Sequence, residues 1–196
     1  AYTGTGSNTT VTHNLGAVPQ LIIVKRRDTT AAWDSYCASL ANTEYVVLNT
    51  TAAKATGATR WNSATPTSSV FSVGTSATTN ASAGTYIAYL FATLAGVSKV
   101  GSYTGTGTTK QIDCGFTAGA RFVLIKRTDS TGDWYVWDTA RGIISGNDPY
   151  LLLNSSAAEV TGTDYIDPLS SGFEISSTAP AAINANGGSF IFLAIA

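Results

Sequence analysis

Charged side chains are scarce in this sequence. Lys and Arg number 11 and Asp and Glu 12, so charged residues make up 12% of the 196 residues. Ordinary soluble domains carry about 25%. The chain has no basic field to hold a nucleic-acid backbone and no polybasic stretch to hold an anionic membrane surface. The composition therefore argues against nucleic acid and against membrane insertion.

Histidine and cysteine, which often act in catalysis or metal binding, are also rare. The chain has one histidine and two cysteines. His13 belongs to no recognisable Ser/His/Asp motif, and no pattern predicts a metal or cofactor site. Cys37 and Cys114 are interpreted as free thiols, with a disulfide between them as the alternative. We therefore expect a protein that is not an enzyme and has no catalytic residues, no metal and no cofactor.

Long apolar runs and methionine are absent as well. No run approaches the ~18 apolar residues that a membrane-spanning helix needs. The lack of any methionine, including at position 1, predicts that the sequence is a fragment or a processed product.

The sequence contains an internal repeat. Tyr2-Thr3-Gly4-Thr5-Gly6 returns as Tyr103-Thr104-Gly105-Thr106-Gly107, and Leu21–Arg26 returns as Phe122–Arg127. Leu48–Ala53 matches Leu153–Ala158, and Asn80–Ile87 matches Asn184–Ile191. Polar residues mostly fail to repeat: His13 aligns with Cys114, Cys37 with Asp138, and Leu40 with Arg141. The repeat indicates that a scaffold was duplicated rather than an active site.

Two domains follow from the repeat, one spanning residues 1–97 and the other 98–196. Each half is long enough to bury an independent hydrophobic core. Leu94–Gly101 is interpreted as a short linker between them.

Short apolar runs rich in branched and aromatic residues, bounded by turn formers, predict β-strands and almost no helix. In the first half the predicted strands are Thr9–Thr12, Gln20–Lys25, Trp33–Cys37, Tyr45–Leu48, Val70–Val73 and Thr85–Thr93. In the second half they are Lys110–Asp113, Arg121–Arg127, Trp134–Asp138, Tyr150–Leu153, Phe173–Ile175 and Ser189–Ala194. We predict an all-β fold of two tandem antiparallel β-sandwich domains, jelly-roll-like, related by internal duplication.

The most conspicuous candidate site is the strand Trp134–Asp138 with Arg141 shortly after it. Alternation places Trp134 and Val136 on one face and Tyr135 and Trp137 on the other, and we expect only one face to be core. An outward aromatic beside Asp138 and Arg141 would suit a sugar. Against this, Trp33 and Tyr36 occupy the places of Trp134 and Trp137, which favours core packing for those two residues. Tyr135 and Arg141 have no such counterparts and are the preferred surface candidates.

Other polar motifs have weaker functional interpretations. Lys126-Arg127 completes the candidate binding surface as an anion or glycan contact. Since Lys25-Arg26 is its counterpart and Asp28 or Asp129 follows each pair, we favour a strand end paired with a carboxylate.

Two further motifs are interpreted as structural. Asp164 and Asp167 resemble a glycosidase pair, but the following Pro168 favours a turn. The glycines of the repeated Tyr-Thr-Gly-Thr-Gly motif are interpreted as turn or strand-edge residues rather than a phosphate loop.

Several sequence segments are similar to a known family. They are Ile125–Trp134, Trp137–Arg141, Leu153–Glu159 and Gly188–Ala194, besides the Tyr-Thr-Gly-Thr-Gly motif. Together they resemble a β-rich domain of uncharacterised function that recurs in bacteriophage virion proteins, often tail-fibre-like ones. The resemblance covers almost all of the second half and, more loosely, the first. The first half departs from it at Ala31-Ala32 and at Cys37–Leu40, where a binding role is in doubt.

The resemblance implies a location in the virion, the extracellular phage particle. We expect a structural protein, a tail-fibre or tail-associated module that contacts the host surface, with capsid decoration or tail assembly as the alternative. The implied partners are other virion proteins, a host cell-surface glycan and further copies of the chain, with a trimer suggested by how fibres are built.

Overall fold

A computed structural model describes residues 1–196, which form short β-strands joined by turns. The first half contains β1 (Tyr2–Thr3), β2 (Thr9–Thr12), β3 (Leu21–Arg26), β4 (Trp33–Cys37), β5 (Glu44–Val47), β6 (Ala55–Thr56), α1 (Ala58–Trp61), β7 (Val70–Val73), α2 (Ala77–Asn80) and β8 (Thr85–Phe91). The second half contains β9 (Ser98–Thr104), β10 (Lys110–Asp113), β11 (Phe122–Arg127), β12 (Trp134–Asp138), β13 (Leu151–Leu152), β14 (Ile166–Leu169), β15 (Gly172–Ile175), α3 (Ala181–Asn184) and β16 (Ser189–Ile195).

The all-β prediction is confirmed, since helices account for 6% of the residues. Predicted and observed bounds coincide for β2, β4, β7, β10 and β12. These strands are short runs of branched or aromatic residues between turn formers, a pattern that local sequence specifies well.

The chain divides into two compact units. Unit 1 comprises Ala1–Asn49 and Lys54–Ala92, and unit 2 comprises Thr50–Ala53 and Thr93–Ala196. Unit 2 therefore includes a short segment, Thr50–Ala53, that the sequence repeat assigns to the first half.

Unit 1 is built from a large and a small antiparallel sheet. The large sheet has the strand order β1-β8-β3-β4-β5-β6, and the small one pairs β2 with β7. Its core brings Ile22, Val24 and Tyr36 of the large sheet together with Phe71 and Val73 of the small one. Buried side chains therefore come from both sheets.

Unit 2 has the same kind of organisation. Its large sheet has the order β13-β12-β11-β16-β9, and its small sheet has the order β10-β15-β14. The core combines Val123, Trp137 and Phe192 of the large sheet with Ile112 and Phe173 of the small one.

The repeated Tyr-Thr-Gly-Thr-Gly motif closes a tight loop in each unit. A Cβ on Gly4 would lie 2.2 Å from the carbonyl oxygen of Ala81, and one on Gly105 would lie 2.3 Å from that of Ala185. Glycine is thus required because another backbone approaches closely.

Two segments differ from prediction. Part of the expected linker Leu94–Gly101 belongs to β9, which pairs with β16 along its whole length. The expected turn at Asp167-Pro168 is wrong, because both residues lie in β14 and pair with β15. β14 is an edge strand, where a residue without an N–H group is tolerated.

Candidate functional site

Strand β12 is covered on both faces. Tyr135 and Trp137 lie in the core of unit 2, with Tyr135 only 7% exposed, while Trp134 and Val136 on the opposite face are also buried. The prediction that only one face is core is therefore wrong, and so is the expectation that Tyr135 is a surface aromatic. Alternation applies to half-buried strands, whereas a strand covered on both faces has a continuous apolar run. Core packing of Trp134 and Trp137 is confirmed.

Tyr135 and Trp137 are the inner members of an aromatic row, which we define as Trp137, Tyr135, Tyr150 and Tyr165. The ring centroids of Trp137 and Tyr135 are 5.6 Å apart, and those of Tyr135 and Tyr150 are 5.1 Å apart. Tyr165 stacks on Tyr150 at 5.6 Å. Tyr150 and Tyr165 are half-buried, so the row runs from the core towards solvent.

A buried carboxylate holds the outer rings in place. Asp148 is fully buried, and its two oxygens accept the backbone N–H groups of Tyr165 at 2.8 Å and Ile166 at 3.1 Å. The backbone N–H of Asp148 donates to the carbonyl of Thr163 at 2.7 Å. Asp148 therefore joins the segment that carries Tyr150 to the segment that carries Tyr165. No sequence motif indicated this role, because the residues that Asp148 joins are distant along the chain.

The hydroxyl groups of the row are available for hydrogen bonding. Tyr135, Tyr150 and Tyr165 make no hydrogen bond through their hydroxyls within the protein. Burial raises the pKa of Tyr135 to about 12, and burial also raises the pKa of Tyr150. Both phenols are therefore protonated at neutral pH, and that of the half-buried Tyr150 can donate to an oxygen of a ligand.

Acidic groups lie around the row. Burial raises the pKa of Asp148 to about 6, with a smaller increase from Asp164; the N–H groups of Tyr165 and Ile166 and the Trp137 indole oppose that increase. One carboxylate oxygen of Asp164 is buried without a hydrogen-bond partner. The negative charge of Asp133 contributes to raising the pKa of both Tyr135 and Tyr150. Asp133 itself accepts a hydrogen bond from the side-chain amide of Asn154 at 2.7 Å.

Asp138 and Arg141 lie together, near the start of the loop that follows β12. The Arg141 guanidinium contacts the Asp138 carboxylate and also pairs with Glu159 at 2.8 Å. Both ion pairs are partly exposed. The sequence did not indicate Glu159 as a partner, because it lies beyond β13, in the segment between β13 and β14. Arg141 is thus already paired with two carboxylates.

Lys126 is not a surface residue, which corrects its assignment to an exposed binding surface. Its ammonium group is buried and donates to the carbonyl oxygens of Gly132 and Thr51, the latter at 3.1 Å. Burial lowers the pKa of Lys126 to about 8. Through its hydrogen bond to Gly132, the Lys126 side chain closes the turn between β11 and β12. It is enclosed because β11, on which it lies, is buried on both faces.

Arg127 pairs with a carboxylate, as the structural interpretation predicted. Its guanidinium binds Asp129 through two hydrogen bonds of 3.0 and 3.1 Å and also donates to the carbonyl of Ala181 at 3.1 Å. In unit 1, Arg26 binds Asp28 through two hydrogen bonds of 2.9 Å. The same clamp in both units indicates a structural role.

Unit 1 holds a polar group where unit 2 has the aromatic row. Asp34, which the repeat aligns with Tyr135, is fully buried and accepts a hydrogen bond from Arg60 Nε at 3.0 Å. The Arg60 guanidinium lies 3.5 Å from the ring centroid of Tyr45, the counterpart of Tyr150. No sequence motif indicated this ion pair, because Asp34 and Arg60 are far apart in the chain. The two units therefore differ at this place.

A shallow cavity of about 280 Å³ opens on unit 1, lined by Ala1, Tyr2, Thr3, Arg27, Thr85 and Tyr86. Arg27 is exposed and forms no ion pair. In unit 2 the aligned residue is Thr128, whose hydroxyl donates to the carbonyl of Ser189 at 3.1 Å. The arginine that lines the cavity thus has no counterpart in unit 2.

Comparison with known proteins identifies a family. A model described as Domain of unknown function (DUF7483) matches residues 1–196. The chain belongs to this family. No curated protein and no solved structure matches it significantly.

The DUF7483 description assigns no activity, so the candidate site rests on geometry alone. No group of three or more His, Cys, Asp or Glu side chains is placed to hold a metal ion. None of the helices has both the length and the apolar character to cross a membrane. The aromatic row with its surrounding carboxylates brings unpaired hydroxyl groups and half-buried rings together.

Proposed function

We propose that this protein is a structural component of a bacteriophage virion, a tail-fibre or tail-associated module that contacts a host cell-surface glycan and does not act as an enzyme. The resemblance to β-rich domains of phage virion proteins supports this proposal. The low charge content is in keeping with a surface whose hydration depends little on salt.

The architecture that we propose is two tandem β-sandwich domains, residues 1–97 and 98–196, produced by duplication. Equivalent strand orders support it: β1-β8-β3-β4-β5 in unit 1 corresponds to β9-β16-β11-β12-β13 in unit 2. Equivalent loops support it as well, since Gly4 N–H donates to Gly84 at 2.7 Å and Gly105 N–H donates to Gly188 at 2.8 Å.

The observation that carries the binding proposal is the aromatic row. Polar side chains common to both units, such as the arginine–aspartate clamps, are hydrogen-bonded to their own fold. The row belongs to unit 2 alone, and its outer rings Tyr150 and Tyr165 are half-exposed with unpaired hydroxyls. Aromatic faces that stack on a sugar and neighbouring groups that bind its hydroxyls are typical of glycan sites.

The test is retention of the purified chain on whole bacterial cells and on purified lipopolysaccharide. Tyr165→Ala should weaken binding about tenfold or more, as loss of a central aromatic contact does. Tyr165→Phe keeps the ring and should lose less. Arg141→Ala should have a smaller effect, because its charge is already neutralised by Asp138 and Glu159.

The matched control is Tyr89→Ala, which removes a tyrosine of unit 1 that is 44% exposed. Urea unfolding of each variant verifies that the fold is intact. Equal loss of binding in Tyr89→Ala and Tyr165→Ala would exclude a specific role for the row. No retention on any cell surface would exclude host contact and favour the alternative below.

The alternative is a capsid decoration or tail-assembly protein that binds other virion subunits, including further copies of the chain. A specific feature favours it: the apolar residues Ile87–Phe91 of β8 are only partly buried. A half-covered apolar strand is a common place for another chain to bind. In such an assembly a homotrimer would be the expected oligomer, to be measured by light scattering.

A further inference from the structure

Carboxylates lie along the aromatic row. Burial is the main cause of the raised pKa of Tyr135 and Tyr150, and the negative charge of Asp133 adds to it, so that carboxylate lies near both hydroxyl groups. Asp164 directly precedes Tyr165 in the chain and forms no ion pair. One oxygen of the Asp164 carboxylate is buried without a hydrogen-bond partner. The row therefore has an acidic group beside its inner rings and another beside its outer ring.

A third carboxylate, that of Asp148, belongs to the same place. It accepts the backbone N–H of Tyr165 at 2.8 Å. Burial raises the pKa of Asp148 to about 6, and the charge of Asp164 contributes to that increase, so the two carboxylates are close enough to repel each other. With this pKa, Asp148 is mostly ionised at neutral pH. The outer end of the row thus carries an excess of negative charge.

The two cations next to β12 are already bound by the protein. Lys126 is fully buried, and its ammonium group donates to two backbone carbonyl oxygens. The guanidinium of Arg141 is bound by the carboxylates of Asp138 and Glu159, so this group of three side chains has a net negative charge. Neither cation is free to bind an anionic ligand.

These charges decide which ligand the rings favour. Tyr150 and Tyr165 are half-buried, and their ring centroids are 5.6 Å apart. The face of an aromatic ring attracts a cation, and a carboxylate binds a charged donor more strongly than a neutral hydroxyl group. An anionic group in the same place would be repelled by the carboxylates. The row therefore favours a cationic ligand over a neutral one, and a neutral ligand over an anionic one.

We infer that the sugar bound by the aromatic row carries a protonated amino group, so that the ligand is an amino sugar rather than a uronic acid or a phosphorylated sugar. The sugar ring lies against Tyr150 and Tyr165, and the carboxylate of Asp164 binds the ammonium group. This inference rests on the proposed glycan contact and names the class of glycan that the contact selects.

The test compares short oligosaccharides that differ in charge, with binding to the purified chain measured by isothermal titration calorimetry. The probes are a glucosamine trimer, the same trimer with N-acetylated amino groups and a galacturonic acid trimer. At about pH 6.5 amines and carboxylates of these kinds are mostly charged. We expect the glucosamine trimer to bind about fivefold or more tightly than the N-acetylated trimer, and the galacturonic acid trimer to bind most weakly. Added salt should weaken binding of the glucosamine trimer and leave that of the N-acetylated trimer unchanged.

Asp164→Asn keeps the shape of the side chain and removes its charge. We expect this variant to lose most of the preference for the glucosamine trimer and to bind the N-acetylated trimer as the wild type does. The matched control is Asp113→Asn, which removes an exposed carboxylate of β10 and should keep the full preference. Urea unfolding verifies that each variant is folded. The comparison of the probes on the wild-type chain needs neither variant.

Equal affinity of the wild-type chain for the glucosamine and N-acetylated trimers would overturn the inference. Tighter binding of the galacturonic acid trimer, or no binding of the glucosamine trimer, would overturn it as well. Retention on cells that depends on Tyr165 would still support the host contact in those cases. A chain that prefers the glucosamine trimer but is retained on no cell surface would contradict the host contact and support the ligand class.

Discussion

Replacement of Asp148 by asparagine tests how the aromatic row is held together. Asp148 is fully buried and accepts two backbone N–H groups, from Tyr165 and Ile166. An asparagine at this position would have nearly the same shape but would present an NH₂ group where one oxygen now accepts. One buried N–H would then lose its partner, which costs about 1–3 kcal/mol at every pH.

The informative part of the Asp148→Asn experiment is its pH dependence. The pKa of Asp148 is raised from 3.8 to about 6 in the folded protein, chiefly by burial. Between these values the native state binds a proton that the unfolded chain releases, so wild-type stability falls as pH rises. Each pKa unit of difference corresponds to 1.36 kcal/mol, so the loss of wild-type stability is at most about 3 kcal/mol. This loss is complete above the pKa of the folded protein.

Asparagine has no proton to lose, so the variant lacks this decline. The unfolding free energy of Asp148→Asn minus that of wild type should therefore increase by up to about 3 kcal/mol between pH 4 and pH 7. Urea denaturation followed by tryptophan fluorescence at several pH values measures this difference. All other titrating groups are shared by the two proteins and cancel.

Asp129→Asn provides the control of opposite sign. Pairing with Arg127 lowers the pKa of Asp129 to about 2. The stability that Asp129 contributes to the folded protein is therefore lost only as pH falls below its unfolded-state pKa of 3.8. The difference from wild type should be flat between pH 5 and pH 7. If the Asp148→Asn difference is also flat, or declines as pH rises, then the two N–H bonds outweigh burial and the reasoning is refuted.

Two further substitutions test the scaffold. Gly105→Ala would place a Cβ 2.3 Å from the carbonyl oxygen of Ala185, and we expect a loss of about 1–3 kcal/mol in urea unfolding; an unchanged midpoint would show that the loop shifts freely. Arg60→Met would leave the buried carboxylate of Asp34 unpaired, and we expect a loss of about 3–5 kcal/mol. Arg121→Met removes an exposed arginine without an ion pair and serves as its control, so similar losses in both variants would contradict a special role for Arg60.

Local sequence was sufficient for most strands because their signals are local. Trp134–Asp138 is aromatic and branched, follows a turn rich in Asp, Ser and Gly, and folds as a strand with the predicted bounds. The pairing of Arg127 with Asp129 was also predictable, since the partners are close neighbours along the chain and the same pattern occurs at Arg26 and Asp28.

The exposure of Tyr135 was not predictable in the same way. A single strand shows which side chains share a face, but it does not show whether the second face is covered. In β12 both faces are buried, so Tyr135 lies in the interior and not on the surface, as the sequence had led us to expect. The aromatic residues that are partly exposed are instead Tyr150 and Tyr165. In the sequence they looked like ordinary strand and loop residues.

By itself, the sequence determined that this protein is made of short antiparallel strands and that two stretches of it share one pattern. Those properties depend on neighbours along the chain: branched residues favour extended backbone, and glycine, asparagine and aspartate favour turns. Tertiary structure alone decided which polar groups are enclosed and which rings meet. Asp148 reaches Tyr165 and Asp34 reaches Arg60 only after distant strands have paired, because burial and long-range contacts are properties of the whole packed unit.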